Sequence, residues 1–106
     1  MSKVLYMANV TEFEYEGGWG ASQRPDGVAF CADKTNLENY FSVKKKDSIQ
    51  NSSANYQLFE EITTPKLVKV NDECYQFYTY KTKDSKEGVL WLRGDSLKLF
   101  LEGVDL

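Results

Sequence analysis

Histidine is missing from this sequence altogether, and the gap removes much of the chemistry that proteins perform near neutral pH. Without imidazole there is no Ser-His-Asp triad, no Cys-His nucleophile and no His metal ligand. Cysteine is scarce: Cys31 and Cys74 are the only two. They lack CxxC spacing and are too few for a structural zinc site, so they read as small buried apolar residues of a reducing compartment rather than as a disulfide. Neither GxxxxGK[ST] nor GxGxxG occurs, so no nucleotide cofactor is expected. No apolar run reaches the roughly 18 residues of a membrane span. Residues 1–7 alternate in polarity and carry one charge instead of a signal-peptide core. The expectation is a cytoplasmic protein with no membrane partner, in which the sequons Asn9-Val10-Thr11 and Asn51-Ser52-Ser53 are chance matches. Charge is nearly balanced as well. A net charge of −3 disfavours binding to nucleic acid by phosphate neutralisation.

Aromatic residues are what the chain has in quantity: 7 Tyr, 6 Phe and 2 Trp among 106 residues. They imply a ring-rich core on pleated sheet, with some Tyr left at the surface, where it gives contact area at low entropic cost. The length fits a single domain, 1–106, able to close one core without staples.

Residues 4–10 alternate as a strand. Beyond Thr11 the phase changes, so that Phe13 and Tyr15 alternate with Glu12, Glu14 and Glu16, which predicts a bulge near Thr11. A glycine-rich loop follows at residues 17–23. Arg24-Pro25-Asp26-Gly27 then reads as a type I turn, and residues 28–32 as a short buried strand. Thr35 and Glu38 have capping-box spacing, and Leu37, Tyr40 and Phe41 share a helical face. Lys44-Lys45-Lys46 suits the C-terminus of that helix, and residues 47–55 read as an exposed loop. Residues 56–62 fit either strand or short helix, and residues 66–70 a short strand. For residues 74–80, β propensity opposes the cap signal of Asn71-Asp72-Glu73. Residues 89–92 read as a central strand, Arg93-Gly94-Asp95-Ser96 as a turn, and residues 97–101 as a last strand or short helix. The sum is an α+β fold: a small antiparallel sheet of four to five strands with one or two helices packed on it.

Trp19-Gly20, then Arg24-Pro25-Asp26-Gly27-Val28, then a helix with Leu37 and Tyr40, is similar to a pattern in small bacteriophage-encoded proteins of unknown function. Val68-Lys69-Val70-Asn71-Asp72-Glu73-Cys74-Tyr75 resembles their second half, a Val-x-Val strand, an acidic cap and a Tyr-bearing helix. The likeness covers about two-thirds of the chain. It departs at Cys31 and Ala32, where a His is common, and at residues 56–64. It implies a protein that binds a host or defence protein in the host cytoplasm and alters its activity, and it favours helix for residues 71–80.

The candidate binding residues are Trp19, Arg24, Asp26 and Tyr15. Trp and Arg dominate contact hot spots. The plainer alternative folds Trp19 over the core as a lid and pairs Arg24 with a carboxylate such as Asp26. Glu12, Glu14 and Glu16 lie about 7 Å apart on one strand face, too wide for a compact dyad and suited to a solvated face that blocks edge pairing. Arg93-Gly94-Asp95 matches an adhesion tripeptide but reads as a turn. A non-enzymatic binding protein is the leading expectation. The alternatives are a Mg²⁺-dependent enzyme using Glu12, Glu14, Asp26 or Asp33, and a self-assembling structural component.

Overall fold

The first strand organises the rest of the molecule. The computed structural model describes residues 3–106; Met1 and Ser2, at the start of the stretch read above as lacking a leader core, lie outside them. In chain order the elements are β1 (Lys3–Glu16), β2 (Gly20–Cys31), α1 (Lys34–Gln50), β3 (Tyr56–Ile62), β4 (Lys66–Val70), α2 (Asp72–Thr82), β5 (Val89–Leu92), α3 (Gly94–Leu101) and β6 (Val104–Asp105). All pairings are antiparallel, in the order β5-β2-β1-β4-β6. β2 flanks β1 along most of its length. On the other side β1 pairs first with β4, at residues 3–7, and then with β3, at residues 10–16. The α+β class is as expected, with six strands and three helices among the described residues in place of four to five and one or two.

Strand alternation sends side chains to two separate cores. Leu5, Met7, Phe30, Leu90 and Leu92 join Val68, Val70, Cys74, Tyr78 and Phe100 under α2 and α3. Ala8, Val10, Ala29 and Cys31 join Leu37 and Phe41 under α1, with Val89 and Trp91 beside them. The sheet is therefore covered on both faces. Phe30 is fully buried, its ring 4.5 Å from that of Phe100, and burial of such a side chain contributes about 1.5–3 kcal/mol. This covering also corrects the placement of β5. The strand lies at the sheet edge, and it is apolar throughout because it feeds both cores.

The bulge near Thr11 is present, but its extra residue belongs to β2. Asn9 faces Val28 and Thr11 faces Pro25, so Val10 alone spans Asp26 and Gly27. Gly27 holds φ +86 and passes so close to the Leu92 carbonyl that a Cβ would overlap it. Arg24-Pro25-Asp26-Gly27 is thus strand and bulge rather than a type I turn, and most of the expected glycine-rich loop is strand. Pro25 is tolerated because no strand pairs with this part of β2 except β1 among the described residues.

The helices begin where side chains cap them. Asp33, not Thr35, caps α1, accepting from the Asn36 N–H at 2.9 Å. The helix runs on to Gln50, which puts Lys44-Lys45-Lys46 in its interior and absorbs the start of the expected loop. Tertiary contact supports the extension: Lys45 pairs with Glu61 and lies 5.0 Å over the Phe59 ring. In α2 the cap signal prevails over β propensity. Asn71 accepts from the Cys74 N–H at 2.8 Å, Asp72 and Glu73 occupy the first turn, and Cys74 and Tyr78 bury one face. Residues 97–101 are helical, and the short β6 after them was not expected. Cys31 and Cys74 are both buried and free.

Candidate functional site

The distal halves of β1 and β2, with β3, form a three-stranded arm that contributes to the elongated shape, 53 × 25 × 20 Å. Its apex is a tight turn. The Trp19 N–H donates to the Glu16 carbonyl at 3.0 Å, and Gly18 and Gly20 hold φ +87 and +94 on either side of Trp19. These left-handed conformations suit glycine, so the turn sequence itself projects Trp19 outward. Its side chain is 87% exposed. The lid alternative for Trp19 is thereby corrected: among the described residues Trp19 belongs to neither core. The Gly17 N–H donates to the Asn55 carbonyl at 2.6 Å, tying the turn to the segment before β3.

Directly paired residues in adjacent strands share a face, so the register sorts the arm's side chains. Glu12 pairs with Arg24 on one side and Glu60 on the other, and Glu14 with Ser22 and Leu58. One face is therefore acidic, with Glu12, Glu14, Glu16 and Glu60 on it. The opposite face carries Phe13 and Phe59, stacked at 5.6 Å, and then Tyr15 nearer the apex. Tyr15 and Tyr56 are exposed beside the turn. The Tyr56 hydroxyl donates to Glu14 at 3.0 Å, and this bond pushes the Tyr56 phenol above its ordinary pKa.

Towards the base of the arm the acids are ion-paired. Arg24 Nε donates to Glu12 Oε1 at 2.6 Å, so Arg24 pairs with a carboxylate as the plainer alternative has it, the partner being Glu12 in place of Asp26. Asp26 instead accepts from Arg93 Nε at 2.7 Å. The Arg93 guanidinium stacks 3.7 Å over the Trp91 ring, and the Trp91 N–H donates to the Asp26 carbonyl at 2.7 Å. The hydrogen bonds to Glu12 and Asp26 hold the two guanidinium groups in their charged form more firmly than usual. Carboxylate oxygens of Glu12, Asp26 and Glu60 lie within 4.8 Å of one another. These three could hold a divalent cation only by competing with the two arginines. Of the other acids named for an enzyme, Glu14 engages Tyr56 and Asp33 caps α1.

The four candidate residues thus fall into two groups. Trp19 and Tyr15 stand at the apex, while Arg24 and Asp26 belong to the ion-paired base. Gly20 and Asp26 are six strand positions apart, about 20 Å. Glu60, Arg93 and Tyr56 complete the arm and were missed. Arg93 stands in a stretch of turn composition, and no local signal links it to Asp26, 67 positions away.

No family model matches the chain, and neither the curated proteins nor the solved structures yield a match. Among the described residues, no helix is long and apolar enough to cross a membrane.

Proposed function

We propose that this chain is a non-enzymatic binding protein whose contact surface is the apex of the arm, with Trp19 as its anchor. The exposure of Trp19 carries the reading. A ring of that size held in water by a rigid glycine turn is costly unless a partner receives it, and Trp is enriched among the residues that dominate interface energies. Tyr15 on one face and Tyr56 on the other widen the apolar contact, and the carboxylates on the Tyr56 face favour a partner with basic residues around its pocket. The resemblance of Trp19-Gly20 and Arg24-Pro25-Asp26-Gly27 to phage-encoded proteins supports a host or defence protein as that partner. Self-assembly through the open stretch of β2 is disfavoured, because Arg24 and Pro25 there both oppose strand addition.

Quantitative capture from bacterial lysate by the full chain tests the proposal. A partner should be retained by the wild type, lost with Trp19→Ala, and bound more weakly as salt rises. Equal retention by Trp19→Ala, or repeated failure to retain any protein, would refute it. The proximity of Glu12, Asp26 and Glu60 favours a second reading, Mg²⁺-dependent hydrolysis. Turnover of a phosphoester that is lost with Glu60→Gln would establish that reading in place of the first.

A further inference from the structure

A second apolar surface lies at the other end of the molecule. α2 and α3 run along a groove of about 450 Å³ lined by Cys74, Phe77, Leu99 and Phe100, with Gly103 on its floor. Gly103 is required there, since a Cβ would overlap Cys74 Sγ and the Asn71 amide. The floor is uncharged. Cys74 Sγ donates to the Phe100 carbonyl at 3.2 Å, and burial pushes the thiol's pKa up, keeping it neutral. The walls are open to solvent, Leu99 being 70% and Phe77 37% exposed.

The charges around the groove are ordered. Glu73 and Glu102 both line it, and the approach of Gly103 to Asn71 and Cys74 places both acids at the start of α2. The charged residues lining this apolar trough are thus both acidic and gathered at one end. The groove adjoins Val70 and Val104, which pair beside Lys3, whereas Trp19 follows Glu16. The run of β1 between those ends is about 43 Å, so the groove is a surface separate from the arm.

We propose that this groove receives an amphipathic helical segment of a partner protein, with leucine-like side chains along one face and lysine or arginine at the end that meets Glu73 and Glu102. A trough between two helices suits the helix-in-groove mode, in which side chains one turn apart act as anchors. Charge complementarity sets the direction in which the segment lies. The proposal does not depend on the role given to Trp19.

Three synthetic peptides of about four helical turns test it. One carries leucines at i, i+4 and lysines at one end, the second has glutamates in place of the lysines, and the third keeps the lysines with the leucines scrambled. Titration into ¹⁵N-labelled full-length chain should give saturable amide shifts centred on Glu73, Phe77, Ser96, Leu99 and Gly103 with the first peptide only. Leu99→Lys should weaken that peptide about tenfold or more by like-charge placement in the groove. Because Leu99 is exposed, this variant keeps the fold, which its circular dichroism checks. The double variant Glu73→Lys, Glu102→Lys should transfer the preference to the glutamate peptide. Trp19→Ala should bind the first peptide as the wild type does. Shifts centred on the arm's acidic face, equal binding of the scrambled peptide, or no saturable shift would each overturn the proposal.

Discussion

Replacing Tyr78 by Phe removes one oxygen and should cost this fold about 2 kcal/mol. The Tyr78 side chain is buried on α2, and its hydroxyl bridges two other elements. It donates to the Gly88 carbonyl at 2.6 Å, just before β5, and accepts from the Ala32 N–H at 2.9 Å, just after β2. Phe keeps the ring and leaves no cavity, so the loss is confined to those two bonds. Each is worth a net 0.5–1.5 kcal/mol or so, and because Ala32 is exposed, water can satisfy its N–H in the variant. For a domain of this size 1 kcal/mol moves the melting temperature by about 4–8 °C, so a fall of about 8–16 °C is expected. The pH dependence gives an independent check. Burial raises the Tyr78 phenol above its ordinary value of 10.0, outweighing the opposite effect of the Ala32 N–H. The folded state thus holds its proton more tightly than the unfolded chain. The stabilisation is fully present below pH 10 or so and is lost as pH rises through the folded value. Urea unfolding at pH 7 and across the alkaline range measures both effects. A loss under about 0.5 kcal/mol at pH 7, or an alkaline decline as steep in Tyr78→Phe as in the wild type, would refute the bridging role.

Two further outcomes follow from the geometry at the bulge and the apex. Gly27→Ala forces a Cβ into a left-handed backbone and onto the Leu92 carbonyl, so a loss of about 2 kcal/mol or more is expected; an unchanged urea midpoint would contradict the bulge assignment. In acrylamide quenching, the readily quenched tryptophan emission should vanish with Trp19→Phe and leave the shielded Trp91 signal, since Trp91 is hydrogen-bonded and covered by Arg93. Persistence of the easily quenched component would place Trp19 inside the fold.

Much of the local structure was legible because it rests on local physics. The alternation in residues 4–10, the Leu37-Tyr40-Phe41 face and the strand at residues 66–70 depend on periodicity alone. Asn71 resolved the conflict over residues 74–80, since a cap acts on the N–H groups beside it while β propensity acts only when a strand partner is available. The misreadings share another cause. Arg24-Pro25-Asp26-Gly27 has turn composition, yet β1 supplies a pairing partner that holds it as strand and bulge. Residues 89–92 look central because they are apolar, but that composition reflects two covered faces rather than strands on both sides. The exposed position of Trp19 was one of two open alternatives. Its neighbours Gly18 and Gly20 fix the turn, but only the folded chain shows that the ring belongs to neither core. Glu60 joins the acidic face through register and Arg93 reaches it through a long-range ion pair with Asp26, neither of which single-residue patterns encode.

β1 extends unbroken from the groove end to the turn before Trp19. Its ladder with β2 lies crosswise to the line joining the two ends. A partner at the turn is held about 43 Å from one at the groove by a strand that is paired along its length with β2 on one side and with β4 and then β3 on the other. The strand therefore acts as a stiff spacer, and spin labels at residues 19 and 99 should give one narrow distance distribution.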